Sequence, residues 1–383
     1  MVNALLGGVT LAAATAYLIV RFPATHVQFS ADLPRVGPQK FHFHPTPRIG
    51  GIAVLLGSMA AASGLREELA AAFELLGAAL LCALFAFAGG LAEDFTKRVA
   101  GRFRLSLTLV SAALGYFLLD ARISALHVPG VDWALGFTLV SFAFTLFAVG
   151  GFTHAMNIVD GFNGLAGVVS LIYLGAIACV AGAVGDPALL WASLALGAAI
   201  LGFLLFNYPG GLIFLGDGGA YLVGFLIAEL TVLLVQRNSE VSPWFALALL
   251  AYPVIETLFS MYRKRVLCGQ SPADPDGLHL HMLVYKRLVR RYRGLPADAA
   301  ANALTAPFLW ILSLLGVVPA VLFWDHTGLL QCVVLAFASI YLWLYWQIVR
   351  FRTPRPLAAR RRALRGNNRE GAWTAQLDTS ADS

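Results

Sequence analysis

Eleven apolar stretches, most of them long enough to cross a bilayer, divide the 383-residue sequence. A transmembrane helix needs about 20 mainly apolar residues. Only 13% of the chain is charged, against about 25% in ordinary soluble domains. The sequence therefore predicts an all-α, polytopic integral membrane protein. We place its spans at residues 2–20, 49–64, 73–92, 105–119, 137–156, 165–183, 189–206, 218–235, 244–261, 304–323 and 329–348.

The distribution of basic residues between the loops predicts the orientation. Of the 27 Lys and Arg residues, 24 lie in alternate loops and the C-terminal segment. Because basic loops stay in the cytoplasm, we expect a periplasmic N-terminus and a cytoplasmic C-terminus. The first span lacks the features of a cleaved signal peptide and is interpreted as a retained helix. The predicted cytoplasmic segments are 21–48, 93–104, 157–164, 207–217, 262–303 and 349–383.

Two regions follow from this topology. Residues 1–348 form the predicted membrane domain, and we expect residues 349–383 to form a basic, partly disordered cytoplasmic tail. Anionic membrane lipids attract such a tail. Most of the net charge of +6 comes from the basic residues that set the membrane orientation. The charge therefore does not indicate a nucleic-acid partner.

Carboxylates and glycines gather in the predicted cytoplasmic loops. In NIVDGFNG, Asn157, Asp160 and Asn163 are spaced three residues apart, on one side of a helical turn. In FLGDGGAY, Asp217 lies between glycines where the next helix begins. A helix N-terminus with an oxygen ligand suits a phosphate and its magnesium ion. The alternative is that both aspartates only cap helices.

Glu93 and Asp94 are adjacent and directly follow a glycine-rich helix end. Neighbouring carboxylates repel unless a cation or proton lies between them, so the pair suits metal binding or base chemistry. The alternative is a solvated helix end whose charge is compensated by nearby basic residues, namely Lys97, Arg98, Arg102 and Arg104.

His279 and His281, two residues apart, do not have the spacing of a helical zinc pair. A histidine that contacts phosphate or moves a proton, in a loop with Arg263 and Arg265, fits better, with a surface histidine as the alternative. Glu256 is a functional suspect because buried charge in lipid is expensive. The alternative is that Glu256 is a structural partner of Arg263 or Lys264.

Lys40 and Arg48 flank the histidine-containing segment before the second span. They suit contacts with an anion or, equally, anchoring in lipid headgroups.

Four motifs in this order resemble the polyprenyl-phosphate N-acetylhexosamine-1-phosphate transferase family. AEDFTK resembles its DDxxD motif, NIVDGFNGLA its NxxDGxDGLA motif, FLGDGGAYLVG its GDxGSxxLG motif and HLHM its HxHH loop. The resemblance covers about residues 35 to 300.

The resemblance implies an enzyme of the bacterial inner membrane with a cytoplasmic active site. It would transfer N-acetylhexosamine-1-phosphate from a UDP-N-acetylhexosamine to undecaprenyl phosphate, releasing UMP, with Mg²⁺ as cofactor and Mn²⁺ as an alternative. The sequence leaves the oligomeric state open, and a homodimer is compatible with it. We expect catalytic roles for Glu93, Asp94, Asp160 and His279, metal ligation by Asp217 and Asp94, and substrate contacts from Lys40, Arg48, Asn157, Asn163, Asn207, Arg263, Arg265 and His281.

Several positions depart from the family pattern. They are Glu93 and Asn163 in place of aspartates, Lys97 in place of the third Asp of DDxxD, Met282 in place of the last histidine and Ala220 in place of a serine. These differences favour the branch that starts O-antigen or related polysaccharides over the muramyl-pentapeptide branch. A secondary transporter of an anionic solute is the competing prediction, but transporters place ionisable groups near the bilayer midplane. A non-catalytic scaffold would leave the paired Gly-Asp motifs unexplained.

Overall fold

The fold is a bundle of α-helices with a single two-stranded sheet among the described residues. The computed structural model describes residues 1–32, 45–271, 276–292 and 299–350. The predicted contact residue Lys40 and the tail beyond residue 350 lie outside these ranges. The first ten helices are α1 (Val2–Arg21), α2 (Val27–Ser30), α3 (Gly50–Leu65), α4 (Ala70–Thr96), α5 (Gly101–Leu118), α6 (Val131–Leu135), α7 (Thr138–Val159), α8 (Leu165–Ala183), α9 (Pro187–Asn207) and α10 (Gly216–Arg237).

The second part of the bundle contains shorter and irregular elements. Its helices are α11 (Pro243–Leu249), α12 (Ala251–Tyr262), α13 (Leu280–Leu283), α14 (Ala299–Ala303), α15 (Ala306–Leu322) and α16 (Thr327–Arg350). π-Helical turns follow α12 and α13. Strands β1 (Ala31–Asp32) and β2 (Thr46–Pro47) pair antiparallel just before α3.

Each of the eleven predicted spans coincides with helical structure. In lipid the backbone must satisfy its own hydrogen bonds, so apolar stretches of this length fold as helices. Within the described residues, eight helical segments are long and apolar enough to cross a membrane, and a bent pair would make a ninth. The protein is therefore a multi-pass membrane protein, while the count of eleven crossings and the orientation stay predictions.

The predicted span over 244–261 differs from the structure. It consists of two helices, α11 and α12, whose axes meet at 73° around Leu250. Pro253 lies in the first turn of α12, where a missing N–H costs no helical hydrogen bond. A proline in this position is compatible with the start of a helix. The apolar residues continue across Leu250, so their pattern does not show that a new helix begins after it.

Helix α10 lies at the centre of the bundle. It packs against α3, α4, α7 and α8, and 94% of its most apolar stretch is buried. Helices α1 and α16 lie at the periphery, where only 22% of the corresponding stretch is buried. The outer helices expose large apolar side chains such as Phe117, Leu139 and Trp343, as expected of surfaces that face lipid. The start of the central helix α10 carries Asp217.

Candidate active site

A pocket of about 300 Å³ opens where several helix ends meet. Its lining comes from the loop between α7 and α8, the start of α10, the segment before α3, the histidine loop before α13, and α14. Seven residues predicted from the sequence line this pocket: Arg48, Asn157, Asp160, Asn163, Asn207, Asp217 and His279.

Asp217 lies in the first turn of α10 and is surrounded by donors. One carboxylate oxygen accepts hydrogen bonds from the Arg48 guanidinium at 2.8 Å and from the Asn157 amide at 3.1 Å. The other oxygen is paired with Arg104 of α5. Gly216, with a φ of +76°, turns the chain into α10 in a conformation that favours glycine. Three helix ends thus position one carboxylate.

Asp94 lies behind Asp217 and is fully buried. Its two carboxylate oxygens accept the backbone N–H groups of Asp217 at 2.9 Å and Gly218 at 2.8 Å, and Arg48 lies 3.4 Å away. The first N–H groups of a helix have no partner within the helix, and here a residue 123 positions earlier supplies it. Asp94 therefore fixes the position of Asp217. Its predicted roles as a base and metal ligand stay predictions.

Glu93 has a different environment from Asp94. It is partly exposed, and one of its oxygens accepts the Val99 backbone N–H at 2.8 Å. Lys97 ends α4 in the left-handed conformation, with a φ of +54°, and donates to the Ala31 carbonyl of β1. The structure thus shows Glu93 ordering the loop after α4, and its catalytic assignment stays a prediction.

Glycines let two helices touch the start of α10. A Cβ atom added to Gly90 of α4 would lie 2.5 Å from backbone atoms of Asp217 and Gly218. One added to Gly51 of α3 would lie 2.4 Å from Gly219. Both distances are shorter than any ordinary carbon contact. The site is therefore built on direct backbone packing between α3, α4 and α10.

Asn207 and Asn163 stabilise the loop that follows α7. Asn207 accepts the Gly164 N–H at 2.7 Å and donates to the Ile213 carbonyl at 2.7 Å. The Asn163 amide donates to the Pro209 carbonyl at 3.0 Å. Because a carboxylate cannot donate this bond, the contact gives a physical reason for asparagine at position 163. Both residues still present polar atoms to the pocket.

Two residues from the C-terminal part of the bundle also contact this loop. The Asn302 side chain accepts the Asn163 backbone N–H at 2.9 Å, and the Trp310 indole N–H donates to the Gly164 carbonyl at 3.2 Å. The loop is therefore supported by both halves of the chain.

The pKa values of Asp160 and Arg48 are both raised, but for different physical reasons. The surrounding protein desolvates the Asp160 carboxyl and raises its pKa to about 7, with Arg48 acting in the opposite direction. Burial would lower the pKa of Arg48, but the carboxylates of Asp217 and Asp94 raise it above its ordinary value. The pocket therefore contains a fixed cation and an aspartate that a bound cation would ionise fully.

The two histidines of the loop lie side by side. Their rings are stacked, with centroids 5.4 Å apart and an angle of 7° between planes. His279 lines the pocket, whereas His281 is completely buried behind it. Burial lowers the pKa of His281 to about 3, so it is neutral at physiological pH. Within the described residues, neither ring nitrogen of His281 has a hydrogen-bond partner.

The predicted basic contacts of this loop lie away from the pocket lining. Arg263 forms a buried ion pair with Asp276, and Arg265 is exposed. Glu256 is paired with His279, not with Arg263 as we considered from the sequence. Direct substrate contacts by Arg263, Arg265 and His281 stay predictions.

Several residues in the pocket or paired with its carboxylates were missed by sequence reasoning. Arg104 was treated as compensation for the charges of the neighbouring helix end, and its pairing with Asp217 across 113 positions has no local signal. Asp32, Phe162, Phe214 and Asn302 also line the pocket. Phe162 and Phe214 lie within or beside the Gly-Asp motifs, which is the one signal that could have identified them.

The donor set suits a hard divalent cation. Mg²⁺ takes oxygen ligands and is usually bound by one or two carboxylates together with substrate phosphates. Asp217, Asp160 and the Asn157 amide oxygen are ligands of this kind around one pocket. Among the described residues, no group of three or more His, Cys, Asp and Glu side chains is close enough to form a metal site. Asp217, Asp160 and Asn157 are the residues that could hold such a cation together with a substrate phosphate.

Comparison with known proteins adds independent information. The family model described as glycosyl transferase family 4 matches residues 76–235, which include Asp94, Asp160 and Asp217. The chain is 28% identical over 249 residues to the "Probable undecaprenyl-phosphate N-acetylglucosaminyl 1-phosphate transferase" of Bacillus subtilis (strain 168), covering 63% of this chain and 66% of that protein.

Two enterobacterial relatives are slightly more similar in sequence. The undecaprenyl-phosphate alpha-N-acetylglucosaminyl 1-phosphate transferase of Yersinia pestis is 31% identical over 261 residues, or 65% of this chain and 68% of the relative. The Salmonella typhi protein of the same name is 30% identical over 257 residues, or 65% and 67%. The matched regions thus span about two thirds of each relative. Together with the match of the membrane core to the family model, this similarity shows that the chain belongs to glycosyl transferase family 4.

Proposed function

We propose that this protein transfers N-acetylhexosamine-1-phosphate from a UDP-N-acetylhexosamine to undecaprenyl phosphate. The names of the relatives support the lipid acceptor and the sugar phosphate. The observation that carries the proposal is the arrangement around Asp217, which contacts two arginines and an asparagine amide and shares one pocket with a second aspartate. Such a set suits a diphosphate and its cation.

The reaction is a displacement at phosphorus. An oxygen of undecaprenyl phosphate attacks the β-phosphorus of the UDP-sugar, the bond from that phosphorus to the bridging oxygen breaks, and UMP leaves. Negative charge grows on the bridging oxygen and on the phosphoryl oxygens. Because there is little covalent chemistry for the protein, catalysis depends on position and electrostatics.

The residues of the pocket divide this work. Asp217, with Asp160 and the Asn157 amide oxygen, would bind a magnesium ion, which offsets diphosphate charge when present. Arg48 and Arg104 are both paired with Asp217. Arg48 also lines the pocket, so its guanidinium would contact the diphosphate, and Arg104 would hold Asp217 in place from the other side. Asp94 keeps Asp217 in register through the two backbone N–H groups that it accepts.

The membrane setting supports the proposed acceptor and the proposed side of the site. A polyprenyl chain needs an apolar path, and the exposed faces of the outer helices supply apolar surface. The excess of basic residues in one set of loops supports a site on the cytoplasmic face of the inner membrane. The product would be the first lipid-linked sugar of a cell-envelope polysaccharide such as O-antigen.

An exchange assay tests the proposal. Purified protein with undecaprenyl phosphate and Mg²⁺ should exchange labelled UMP into UDP-N-acetylglucosamine or another UDP-N-acetylhexosamine. Asp217→Asn should abolish this exchange, because it removes a charge at the metal and leaves Arg48 and Arg104 with a neutral partner. Asp120→Asn is the matched control, since Asp120 lies in an exposed loop and its φ of +59° is one that Asn tolerates.

Two results would contradict the proposal. One is the absence of exchange with every UDP-N-acetylhexosamine tried. The other is an Asp217→Asn variant that exchanges UMP as fast as Asp120→Asn. Exchange that continues at the same rate after divalent cations are chelated, and that added Mg²⁺ or Mn²⁺ does not accelerate, would exclude the proposed cofactor. The proposed transfer reaction would still stand.

A further inference from the structure

Glu256 is a buried carboxylate in α12 that accepts hydrogen bonds from three neighbours. One oxygen lies 2.9 Å from Nδ1 of His279, and the other accepts the Tyr341 hydroxyl at 2.9 Å. The backbone N–H of Leu280 lies 3.2 Å from both oxygens. A buried ion is expensive unless donors surround it, and here they come from α12, the histidine loop and α16.

We propose that Glu256 is a positioning residue that fixes the tautomer and orientation of His279, and that Tyr341 of α16 fixes Glu256. The inference rests on the proposed function only in treating His279 as a contact of the substrate phosphates. No sequence motif assigns either Glu256 or Tyr341 to the site.

The hydrogen-bond donors around Glu256 indicate which ring nitrogen of His279 carries the hydrogen. An ionised carboxylate can only accept hydrogen bonds. Leu280 and Tyr341 both donate to Glu256, an environment that suits an ionised carboxylate, and opposite an ionised Glu256 the Nδ1 atom of His279 carries the hydrogen. Nε2 is then the nitrogen left to serve the pocket, as an acceptor in the neutral ring or a donor in the cation.

Other charged groups around His279 are already occupied. Asp276 lies 3.8 Å from Nε2, but it pairs with Arg263 and accepts hydrogen bonds from Ser260 and the Leu278 N–H. His281 stacks on the His279 ring as a neutral imidazole. Glu256 is therefore the carboxylate in direct hydrogen-bond contact with His279, and the stacked ring restricts the remaining rotation.

The last helix supports the same loop at a second point. The Tyr345 hydroxyl donates to the Leu278 carbonyl at 3.1 Å, one turn of α16 beyond Tyr341. Arg287, which follows the loop, donates to the Ile348 carbonyl at 3.0 Å. Helix α16 lies outside the residues that match the family model. Its tyrosines nevertheless contact Glu256 and the histidine loop.

Enzyme kinetics test the positioning role. Glu256→Ala should lower kcat for UMP exchange by about 100-fold and Glu256→Gln by about tenfold, the range seen when a carboxylate partner of a functional histidine is removed. The amide of Gln still accepts the Nδ1 hydrogen but lacks the charge that stabilises the imidazolium. Tyr341→Phe should give a smaller loss in the same direction. Glu240→Gln is the control, because Glu240 is exposed in the loop after α10.

The comparison of kcat with thermal stability separates positioning from simple structural support. A positioning role lowers kcat in Glu256→Gln while the melting temperature stays close to that of Glu240→Gln. A loss of stability alone would lower the melting temperature and the amount of active protein together. A kcat equal to that of Glu240→Gln would overturn the inference.

A spectroscopic measurement does not depend on activity. In protein labelled with ¹⁵N-histidine, the His279 signals, assigned with His279→Gln, should show a hydrogen on Nδ1, and Glu256→Ala should move it to Nε2. A wild-type ring with an unprotonated Nδ1 would overturn the inference even if the transferase assay succeeds. If wild-type protein exchanges no UMP, the proposed function fails, and the tautomer alone decides this inference.

Discussion

Gly90 of α4 is the position where one added methyl group should damage the site most directly. In Gly90→Ala, the Cβ atom would lie 2.5 Å from the Asp217 carbonyl group and from the Gly218 nitrogen. Carbon contacts relax to about 3.5 Å, so α4 and α10 must separate by about 1 Å. The methyl group has no flexible neighbour to displace, because the atoms that it meets are backbone.

The size of the effect follows from this separation. Overpacking of this kind costs about 1–3 kcal/mol of stability. A misplacement of about 1 Å between reacting groups costs about 100-fold in rate. Because Asp94 caps α10 from the same helix, the shift also stretches its 2.9 Å and 2.8 Å hydrogen bonds to the Asp217 and Gly218 N–H groups. We therefore expect kcat/KM for UMP exchange to fall by about two orders of magnitude.

Gly77→Ala supplies a matched control on the same helix. A Cβ atom at Gly77 would meet nothing within 4 Å among the described residues. Both variants gain the same intrinsic helix propensity of about 1 kcal/mol from Gly to Ala. The difference between them in denaturant unfolding and in UMP exchange therefore isolates the contact with α10. Equal stability and equal kcat/KM in the two variants would refute the reasoning.

Three further predictions concern other contacts. Gly115→Ala should destabilise the protein by about 1 kcal/mol, because its Cβ would lie 1.4 Å from Oε1 of Glu229 and the buried carboxyl end of that side chain must move; in a Glu229→Ala background this cost should disappear in denaturant unfolding. The pKa of Asp160 is raised by burial to about 7, so the folded protein holds this proton more tightly than the unfolded chain, and stability should fall as pH rises from about 4 to 7. Asp160→Asn should flatten that part of the melting-temperature profile in magnesium-free buffer. Trp310→Phe removes the hydrogen bond to the Gly164 carbonyl, worth about 1 kcal/mol, and should raise KM for the UDP-sugar about fivefold.

Each of these predictions has an outcome that contradicts it. Gly151→Ala, where nothing described lies within 4 Å of the added Cβ, is the control for Gly115→Ala, and equal stability would refute the packing argument. A melting profile of Asp160→Asn that is parallel to wild type between pH 4 and 7 would exclude a raised pKa. A Trp310→Phe variant with lowered kcat and unchanged KM would mean that the loop acts on the chemical step.

Much of the fold could be predicted because the bilayer imposes strict conditions on the backbone. All eleven apolar stretches coincide with helices, since no other structure satisfies the peptide groups of a single segment in lipid. The break near Leu250 was not predicted, because apolar residues continue across it and Pro253 is tolerated in the first turn of the new helix.

The site was predictable to the extent that its residues mark helix ends. Asp160 and Asp217, flanked by glycines, reach the same pocket because their helix ends meet on one side of the bundle. The pairing of these residues was not predictable. Arg104 meets Asp217 across 113 positions and Tyr341 meets Glu256 across 85, and such contacts depend on which helices are neighbours. Helices that are apolar on every face carry little periodicity from which to derive that order.

The central position of α10 has a consequence for how the protein responds to its lipid environment. Peripheral helices adjust to bilayer thickness by tilting, at a cost of a fraction of a kcal/mol per Å of mismatch. Helix α10 is covered by other helices along nearly its whole length, and its first turn is bonded to α4. The depth of Asp217 is therefore set by protein contacts and not by the acyl chains. In vesicles made from lipids of increasing chain length, the outer helices should tilt while the geometry of the pocket around Asp217 stays constant.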